Sequence, residues 1–298
     1  MKPAPYLIGI DLGGSRIKTV TVTPAGNALS TAATDFDVSD KMEWAEKIGA
    51  LVQTIQAERG APADRIGLSA PGLAAADGRS IAHMPGRLQG LEGLDWTRFL
   101  GVAQPVPVLN DGHAALLGEA WIGAANGFRH VLMLTLGTGV GGAAIVDGKL
   151  LRGNIRRAGH LGHICLDPDG PLDVANTPGS LEVAIGNCTI LQRTQARFRT
   201  THALLAAHTA GDAEATRVWL DSVKALACAI ASFVNILDPE AVIIGGGIAR
   251  AGSALFGPLE KFLDPIEWRP GGARVRILPA QLGEFAGAYG AAANARRR

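Results

Sequence analysis

The sequence predicts an α/β protein of two domains, and three observations lead to this prediction. The chain has 298 residues, more than a single hydrophobic core usually spans. Apolar residues make up 47% and charged residues 18%, proportions typical of a well-buried globular protein and unlike those of a disordered one. Each half begins with a strand, a glycine-rich turn and a second strand, and helical patterns follow in both halves. We therefore expect a repeated plan, with the domain boundary near residue 112.

The first half contains a hairpin with an unusually glycine-rich turn, followed by helices and further strands. The hairpin turn holds Asp11 and the pair Gly13-Gly14. A later strand stops at Pro71-Gly72, because proline cannot donate to the ladder. In chain order, this half is predicted to form strands at residues 6–10 and 17–23, a helix at 40–58 capped by Asp40, strands at 65–69 and 106–109, and a helix at 113–121.

The second half repeats the strand, glycine turn and strand, with an ordinary Asp147-Gly148 turn after the hairpin. Its last strand runs into three consecutive glycines, and a helix dense in alanine and glycine closes the chain. The predicted elements are strands at residues 131–135, 141–146 and 241–244, and helices at 181–190, 217–237 and 283–293.

Three glycine turns, at residues 11–15, 136–142 and 245–247, are candidates for phosphate binding. The phosphates of a nucleotide need many donors close together, and the backbone amides of a glycine turn can approach them directly. A single turn can serve the backbone alone. Three such turns in a two-half repeat, one of them beginning with Asp11, indicate nucleotide binding. The pattern matches neither the dinucleotide-binding fingerprint nor a Walker sequence.

Charge and cysteine content exclude several functions. A net charge of +1 provides no field to hold a nucleic acid or an anionic membrane, and the terminal ARRR is interpreted as a solvated tail. The cysteines Cys165, Cys188 and Cys228 are odd in number and widely spaced, which argues against a disulfide framework and fits a reducing cytosol. No signal-peptide core and no uncharged apolar run of membrane-spanning length is found. We therefore expect a cytoplasmic protein without nucleic-acid or membrane partners.

Six motifs follow one another along the chain: DLGGSRIKT, Asn110-Asp111 at a strand end, LTLGTGVGGA, GHLGH, GSLE and VIIGGGIA. In this order, and over nearly the whole chain, the sequence resembles the ROK family of sugar kinases, which have the actin and hexokinase-like (ribonuclease H-like) ATPase fold. The resemblance implies two α/β domains, at 1–112 and 113–282, that close on an active-site cleft with magnesium and ATP on one wall and a sugar on the other. It also implies that a closing helix within 283–298 packs on the first domain, and that the protein is a homodimer.

The resemblance assigns the general base to Asp111, since family members carry their catalytic aspartate in this Asn-Asp pair. From the residues alone, a cap for the following helix is the favoured interpretation of Asp111. Asp11 would hold magnesium through water, because a hard cation prefers oxygen ligands. Phosphoryl transfer needs such a cation to neutralise charge and a base to take the hydroxyl proton.

The resemblance also assigns the residues that contact the nucleotide and the sugar. Lys18 is alternatively a solvated strand residue, and Glu182 is alternatively a helix-face carboxylate near the start of the helix at 181–190. Phosphate contacts are expected from Gly13, Gly14, Lys18, Gly137, Thr138 and Gly139, and adenosine contacts from Gly246 and Gly247. Sugar contacts are expected from Gly72, Asn110, His160, His163 and Glu182.

Many members of the family carry a structural zinc beside the sugar, bound by the last histidine of Gly-Glu-x-Gly-His and by three cysteines. His163 keeps the histidine position here, but the cysteine positions fall on Asp173, Ala175 and Ser180. These residues do not make the closed tetrahedral shell of a structural zinc site, so we predict no zinc and expect packing and prolines to fix the loop. Cys165 lies outside the motif and is expected to be a small buried residue.

The glutamate of the same motif is replaced by His160. A carboxylate accepts two hydroxyl hydrogens, whereas a neutral imidazole accepts one and donates one. His83-Met84 is a second departure, where relatives often carry Asn-Leu. We hypothesise that the reaction is retained and that the acceptor differs from plain glucose or is bound with altered preference. The alternative is that His160 is only a surface loop residue.

Two other functions stay open. A non-catalytic sugar sensor would keep the cleft without turnover, although the presence of Asp111 argues against it. A polyphosphate-dependent glucokinase is a closer alternative, because such relatives also lack the zinc cysteines. The basic channel expected of it has little support in this balanced composition. A ROK repressor is nearly excluded, since only about five residues precede Tyr6, too few for a DNA-binding helix-turn-helix.

Overall fold

Strands and helices alternate along the chain in the computed structural model, which describes residues 4–39, 41–84 and 86–297. The strands are β1 (Leu7–Leu12), β2 (Arg16–Val22), β3 (Ala28–Asp35), β4 (Arg65–Ala70), β5 (Leu73–Ala74), β6 (Ile81–His83), β7 (Val108–Asn110), β8 (Val131–Leu136), β9 (Val140–Val146), β10 (Lys149–Leu150), β11 (Ala241–Gly245) and β12 (Arg276–Pro279). The α-helices are α1 (Glu43–Arg59), α2 (Trp96–Phe99), α3 (Asp111–Ile122), α4 (Leu181–Ile185), α5 (Ile190–Arg193), α6 (Thr201–Thr209), α7 (Ala213–Leu237), α8 (Ser253–Leu263) and α9 (Ala286–Arg296). Short 3-10 helices lie at Leu161–His163, Asn187–Thr189, Ile248–Ala251, Pro270–Gly272 and Gly283–Phe285.

The chain forms two compact units. Unit 1 takes in the described parts of Met1–Gly127, Arg152–Ala158 and Gln281–Arg298, and unit 2 takes in Phe128–Leu151 and Gly159–Ala280. This division differs from the boundary predicted at residue 112. Helix α3 lies in unit 1 because it packs along α9, which belongs to the same unit.

Unit 1 is built on a five-stranded sheet in the order β3-β2-β1-β4-β7. The pairs β1–β2 and β2–β3 are antiparallel, whereas β1–β4 and β4–β7 are parallel. The register places Asp11 opposite Lys18 on β2 and opposite Ser69 on β4. Residues paired across strands point to the same face of a sheet, so these three polar side chains form one row.

Unit 2 repeats this topology with a sheet in the order β10-β9-β8-β11-β12. Again two antiparallel pairs adjoin two parallel pairs. The register places Thr135 opposite Gly141 on β9 and opposite Gly245 on β11. Thr135 therefore occupies the place in unit 2 that Asp11 occupies in unit 1, and the strand, glycine turn and strand predicted for each half are confirmed.

Helix α9 packs its backbone directly against the sheet of unit 1 and against α3. Glycines make this approach possible. A Cβ atom on Gly67 of β4 would overlap the carbonyl oxygen of Ala291, and a Cβ atom on Gly290 would overlap the carbonyl oxygen of Ala114 on α3. The alanine- and glycine-rich closing helix predicted from the sequence is thus confirmed, three residues later than expected.

Helix α7 lies at the centre of the hydrophobic core of unit 2, where Trp219, Leu226 and Phe233 are buried. It begins after Asp212, whose side chain accepts a 2.8 Å hydrogen bond from the Ala215 amide. By length and composition alone, α7 is also apolar enough to cross a membrane. This is weak evidence, because the core helix of a globular protein meets the same criterion.

Several elements differ from their predictions. Helix α1 begins at Glu43, and Asp40, the predicted cap, lies outside the described residues; Met42 takes the N-cap position with φ 69° and no side-chain bond. The helix predicted at 181–190 is interrupted at Gly186, whose ψ of 147° is extended. Strands β3 and β12 and helix α8 had no counterpart among the predictions.

We expect Gly290→Ala to lower the free energy of unfolding by roughly 2 kcal/mol or more, because the new methyl group has no room beside the Ala114 carbonyl group. Gly49→Ala in α1 is the matched control: its Cβ would come no closer than 4.0 Å to a neighbouring atom, so alanine should stabilise the helix by up to about 1 kcal/mol. Urea unfolding measures both changes. Equal effects from the two substitutions would contradict the backbone packing of α9.

Candidate functional site

Asp11 lies near the end of β1, and its side chain is only 13% exposed. Its Oδ1 accepts a 2.8 Å hydrogen bond from the Ser69 hydroxyl, and its Oδ2 lies 3.9 Å from the Lys18 ammonium nitrogen. Helix α9 covers another side of the carboxylate. It lies so close that a Cβ atom on Gly287 would be 2.7 Å from Asp11 Cγ. The sheet register and α9 therefore fix the position of this carboxylate.

Burial raises the pKa of Asp11 to about 6. Lys18 and the Ser69 hydroxyl act in the opposite direction, and the negative charge of Asp111 adds to the increase. The two carboxylates are therefore close enough for their charges to interact. A divalent cation next to Asp11 would favour the ionised form and offset this cost.

Asp111 is the first residue of α3, and the cap of that helix is Asn110. The Asn110 Oδ1 accepts hydrogen bonds from the amides of Gly112 (2.9 Å) and His113 (3.3 Å). Its Nδ2 donates to the carbonyl oxygen of Gly72 at 2.9 Å. Asp111 itself is exposed, and its Oδ1 accepts a 2.8 Å bond from the Gly112 amide. The capping role that the residues alone favoured for Asp111 is therefore filled by its neighbour.

The first glycine turn closes on itself. The Gly13 amide donates to the Arg16 carbonyl oxygen at 2.9 Å, so this N–H is used inside the hairpin. Gly14 is exposed, with a Cβ position 3.8 Å from the nearest atom of Arg87. Lys18 is only 22% exposed and faces Asp11, which does not fit the alternative of a solvated strand residue.

The turn between β8 and β9 is held by its carbonyl groups, which face residues 187–188. The carbonyl oxygens of Gly137 and Thr138 accept bonds from the amides of Asn187 (3.0 Å) and Cys188 (2.8 Å). A carbonyl group and the amide that follows it point in opposite directions across a trans peptide. The N–H groups of Thr138 and Gly139 therefore point away from residues 187–188, side by side, as in backbone anion sites.

Glu182 supports this turn from helix α4. Its Oε2 accepts a 2.9 Å bond from the Val140 amide, and a Cβ atom on Gly139 would overlap the same oxygen. The residue lies in the first turn of α4 and is only 8% exposed. No local pattern predicts this contact, because Glu182 and Val140 are 42 positions apart.

The third glycine turn follows β11. Gly246 has φ +88°, and a Cβ atom there would overlap the carbonyl oxygen of Leu136, so both the backbone conformation and the space favour glycine. At Gly247, by contrast, a Cβ atom would meet no atom within 4 Å. The surface above Gly247 is therefore open, as the predicted contact with adenosine requires.

His163 and Asp173 are joined in the loop before α4. The His163 Nδ1 lies 2.7 Å from Asp173 Oδ2, and the Asp173 side chain is 1% exposed. Burial alone would raise the pKa of Asp173. Hydrogen bonds from His163, Ser180 and the amides of Thr177 and Ala175 outweigh burial and hold this pKa below its usual value.

Comparison with known proteins identifies the family. The model of the ROK family matches residues 7–298. The chain belongs to the ROK family. It is 33% identical to a glucokinase of Thermotoga maritima over 99% of both chains, and 30% identical to an N-acetylmannosamine kinase of Yersinia pestis over 97% of this chain and 98% of the relative.

A solved structure extends the ROK match to the fold. The ROK family glucokinase from Streptomyces griseus, in complex with glucose and AMPPNP, is 28% identical and superposes with a TM-score of 0.77. The match covers 98% of this chain and 100% of that one. The protein therefore has the two-domain, actin-like sugar kinase fold that its motifs predict.

The residues at the position of the ROK zinc do not fit a structural zinc site. His163, Asp173 and Glu182 offer ligand atoms within 4.8 Å of one another. However, the Asp173 oxygens already accept bonds from His163 and from two backbone amides, and Glu182 Oε2 accepts one from Val140. One imidazole and two engaged carboxylates differ from the three thiolates and one histidine of the family site.

His160, at the position of the motif glutamate, is half-buried beside His163. The two rings are nearly parallel, with centroids 6.5 Å apart and an interplanar angle of 18°. His160 is therefore more than a loop residue at the surface. His83 differs: its side chain is 68% exposed, and Nδ1 lies 3.7 Å from Glu92.

Two expectations about the loop need correction. Cys165 is exposed, not buried, because the chain is extended at Ile164, after the 3-10 helix, and Cys165 pairs with Ser180 with its side chain outward. The loop is also fixed by more than packing and proline residues, since the Asp173 hydrogen bonds close it.

Ser69 is a residue of the site that was not predicted from the sequence. It is identified by the parallel pairing of β1 with β4, which places it opposite Asp11.

We expect Asp11→Asn to raise stability at neutral pH. The folded-state pKa of about 6 exceeds the ordinary 3.8, so the ionised carboxylate opposes folding above pH 6 and has no such effect below pH 3.8. The stability of the variant relative to the wild type should therefore increase by about 3 kcal/mol between pH 3.5 and pH 7.5.

Urea unfolding at both pH values, without magnesium or nucleotide, measures this change. Asp221→Asn, at an exposed position of α7, is the control and should show a change under about 0.5 kcal/mol. A carboxyl carbon signal of Asp11 that titrates near pH 4 would contradict the analysis.

Proposed function

We propose that this ROK sugar kinase transfers the terminal phosphoryl group of ATP to a hydroxyl of a hexose or hexose-like sugar, with Asp111 as general base. The proposal depends on one observation at the start of α3, where the helix cap and the exposed carboxylate are two different residues. Asn110 caps the helix, so the exposed Asp111 carboxylate is not needed as its cap. An exposed carboxylate in the first position of a helix that another residue caps is suited to accept the proton of a sugar hydroxyl.

The proposed reaction assigns a role to each of these groups. The sugar oxygen attacks the γ-phosphorus while its proton passes to Asp111, and the bond from the γ-phosphorus to the bridging oxygen breaks to release ADP. The adjacent N–H groups of Thr138 and Gly139 would donate to phosphate oxygens, and the open surface above Gly247 would receive the adenosine. The relative solved with AMPPNP supports ATP as the donor.

Magnesium fits the oxygen donors around Asp11. A buried carboxylate with a raised pKa and a second carboxylate nearby is stabilised in its ionised form by a divalent cation. When bound, magnesium would neutralise charge on the phosphate oxygens. Lys18, 3.9 Å from Asp11, would add a second positive charge on the same side.

The sugar would contact Asn110, Gly72, His160, His163 and Glu182. Glucose, fructose, mannose and N-acetylhexosamines are the candidate acceptors, since both a glucokinase and an N-acetylmannosamine kinase are relatives. The His160 imidazole, in place of a glutamate, favours an acceptor or a preference other than that of plain glucose. A cytoplasmic location and a homodimer remain predictions.

A coupled ADP-release screen over hexoses, amino sugars, N-acetylated sugars and cyclitols tests the activity. We expect turnover with ATP, and Asp111→Asn should lower kcat by about a hundred- to ten-thousand-fold, because the amide cannot accept the proton. Asp77→Asn, an exposed position in the same unit, should leave kcat unchanged. Retention of full turnover by the Asp111 variant would refute the assignment.

The same screen with polyphosphate in place of ATP separates the two donors, and turnover with polyphosphate alone would favour the alternative donor. Equilibrium sugar binding without turnover by the wild type would favour a non-catalytic sensor.

His160→Glu should change the order of preference among the sugars in this panel, because a carboxylate accepts two hydroxyl hydrogens and donates none. The expected change is at least about tenfold in the ratio of kcat/KM between two acceptors, the size that one hydrogen bond to a buried hydroxyl usually confers. Ratios of kcat/KM that stay unchanged across the panel would remove the specificity hypothesis.

A further inference from the structure

We propose that Asp173 is a positioning residue that holds a hydrogen of His163 on Nδ1, so that when the imidazole is neutral its Nε2 faces the sugar as a hydrogen-bond acceptor. The inference rests on the proposed function, because that function assigns His163 to the sugar. In many relatives the position of Asp173 holds a zinc-binding cysteine, and the position of His163 holds the zinc-binding histidine. The residues present here do not fit a structural zinc site.

The Asp173 carboxylate is saturated with donors. Oδ2 faces the His163 Nδ1 at 2.7 Å, and Oδ1 accepts from the amides of Ala175 (2.8 Å) and Thr177 (2.9 Å). The Ser180 hydroxyl also donates to this side chain. An ionised carboxylate has about four lone-pair positions, so these donors leave little capacity for a metal ion.

The chemistry of the acceptor decides the tautomer of the ring. The side chain of Asp173 is 1% exposed, and its donors keep it ionised at neutral pH. An ionised carboxylate can only accept hydrogen bonds, so the hydrogen in the 2.7 Å bond belongs to Nδ1. A neutral imidazole carries one N–H, and Nε2 is then a bare acceptor.

The loop holds the carboxylate firmly in place. The Asp173 amide donates to the Thr177 carbonyl oxygen at 3.0 Å, and the Asn176 amide donates to the Asp173 carbonyl oxygen at 3.0 Å. The turn at 173–177 is thus closed by its own backbone as well as by the side chain. Partners that orient a histidine from behind act through such fixed geometry.

This arrangement limits what His163 can recognise. A bare Nε2 binds a hydroxyl or an amide N–H of the acceptor, and does not bind an ether or carbonyl oxygen. The sugar must therefore offer a donor at this point. O-methylation or removal of the hydroxyl that donates to Nε2 should weaken binding of the sugar. Binding of such modified sugars to the wild-type enzyme identifies this hydroxyl.

Asp173→Asn tests the proposal with almost no change of shape. The amides of Ala175 and Thr177 require an acceptor at Oδ1, so the carbonyl oxygen of the asparagine should stay there. Its NH2 group would then face the His163 Nδ1, which must become the acceptor, and the ring hydrogen should move to Nε2. Long-range proton–nitrogen NMR of the imidazoles at about pH 8.5, above the ordinary histidine pKa, reports the tautomer directly.

We expect the Nδ1–H tautomer in the wild type and the Nε2–H tautomer in Asp173→Asn. KM for the sugar should rise about tenfold or more, whereas KM for ATP should change less than about twofold. Asp169→Asn, an exposed neighbour in the same loop, is the matched control and should leave both the ring signals and the kinetic constants unchanged.

Three results would overturn the proposal. They are an Nε2–H ring in the wild type, a tautomer or sugar KM that does not respond to Asp173→Asn, and a stoichiometric metal ion whose removal alters the His163 signals. The wild-type spectrum alone shows which nitrogen of His163 carries the hydrogen, so the proposal can be refuted even when the variant does not fold. If no sugar is phosphorylated, the proposed function fails, while the ring signals still test the role of Asp173.

Discussion

The closeness of helix α9 to the sheet of unit 1 is the constraint on which the arrangement of its acidic residues depends. The backbone of α9 occupies the space that side chains on β4 and α3 would need, so these elements meet at glycines. Asp11 lies on the strand that α9 covers, and Gly287 contacts its carboxylate. Asp111 begins the helix packed along α9. The position of each carboxylate relative to the other is thus fixed through one helix.

The two sheets share a topology but differ in chemistry at their equivalent positions. Asp11 in unit 1 corresponds to Thr135 in unit 2, where Gly141 lies so close that its Cβ position would overlap the Thr135 hydroxyl. A buried carboxylate requires a counter-charge, whereas a hydroxyl does not. The repeated topology therefore carries a buried carboxylate at this position in unit 1 and a hydroxyl in unit 2.

Local patterns allowed the glycine-ended strands to be predicted, since apolar β-branched runs followed by glycine have few other interpretations. The strand β3 was missed because its sequence, ALSTAATD, is almost wholly exposed and shows no apolar alternation. The sequence also placed Asn110 and Asp111 together without showing that Asn110 is the cap. The contacts of Glu182 with Val140 and of His163 with Asp173 join residues that are distant along the chain, and only the folded loops bring them together.

The position of α9 in the sequence has a consequence for biosynthesis. Translation proceeds from the amino terminus, and complete domains usually fold as they emerge. Unit 1 combines the early strands β1–β4 with the late helix α9, whereas every segment of unit 2 lies between these two parts. Every segment of unit 2 is therefore synthesised before α9. The sheet bearing Asp11 cannot bury its glycine-lined surface until α9 has been synthesised.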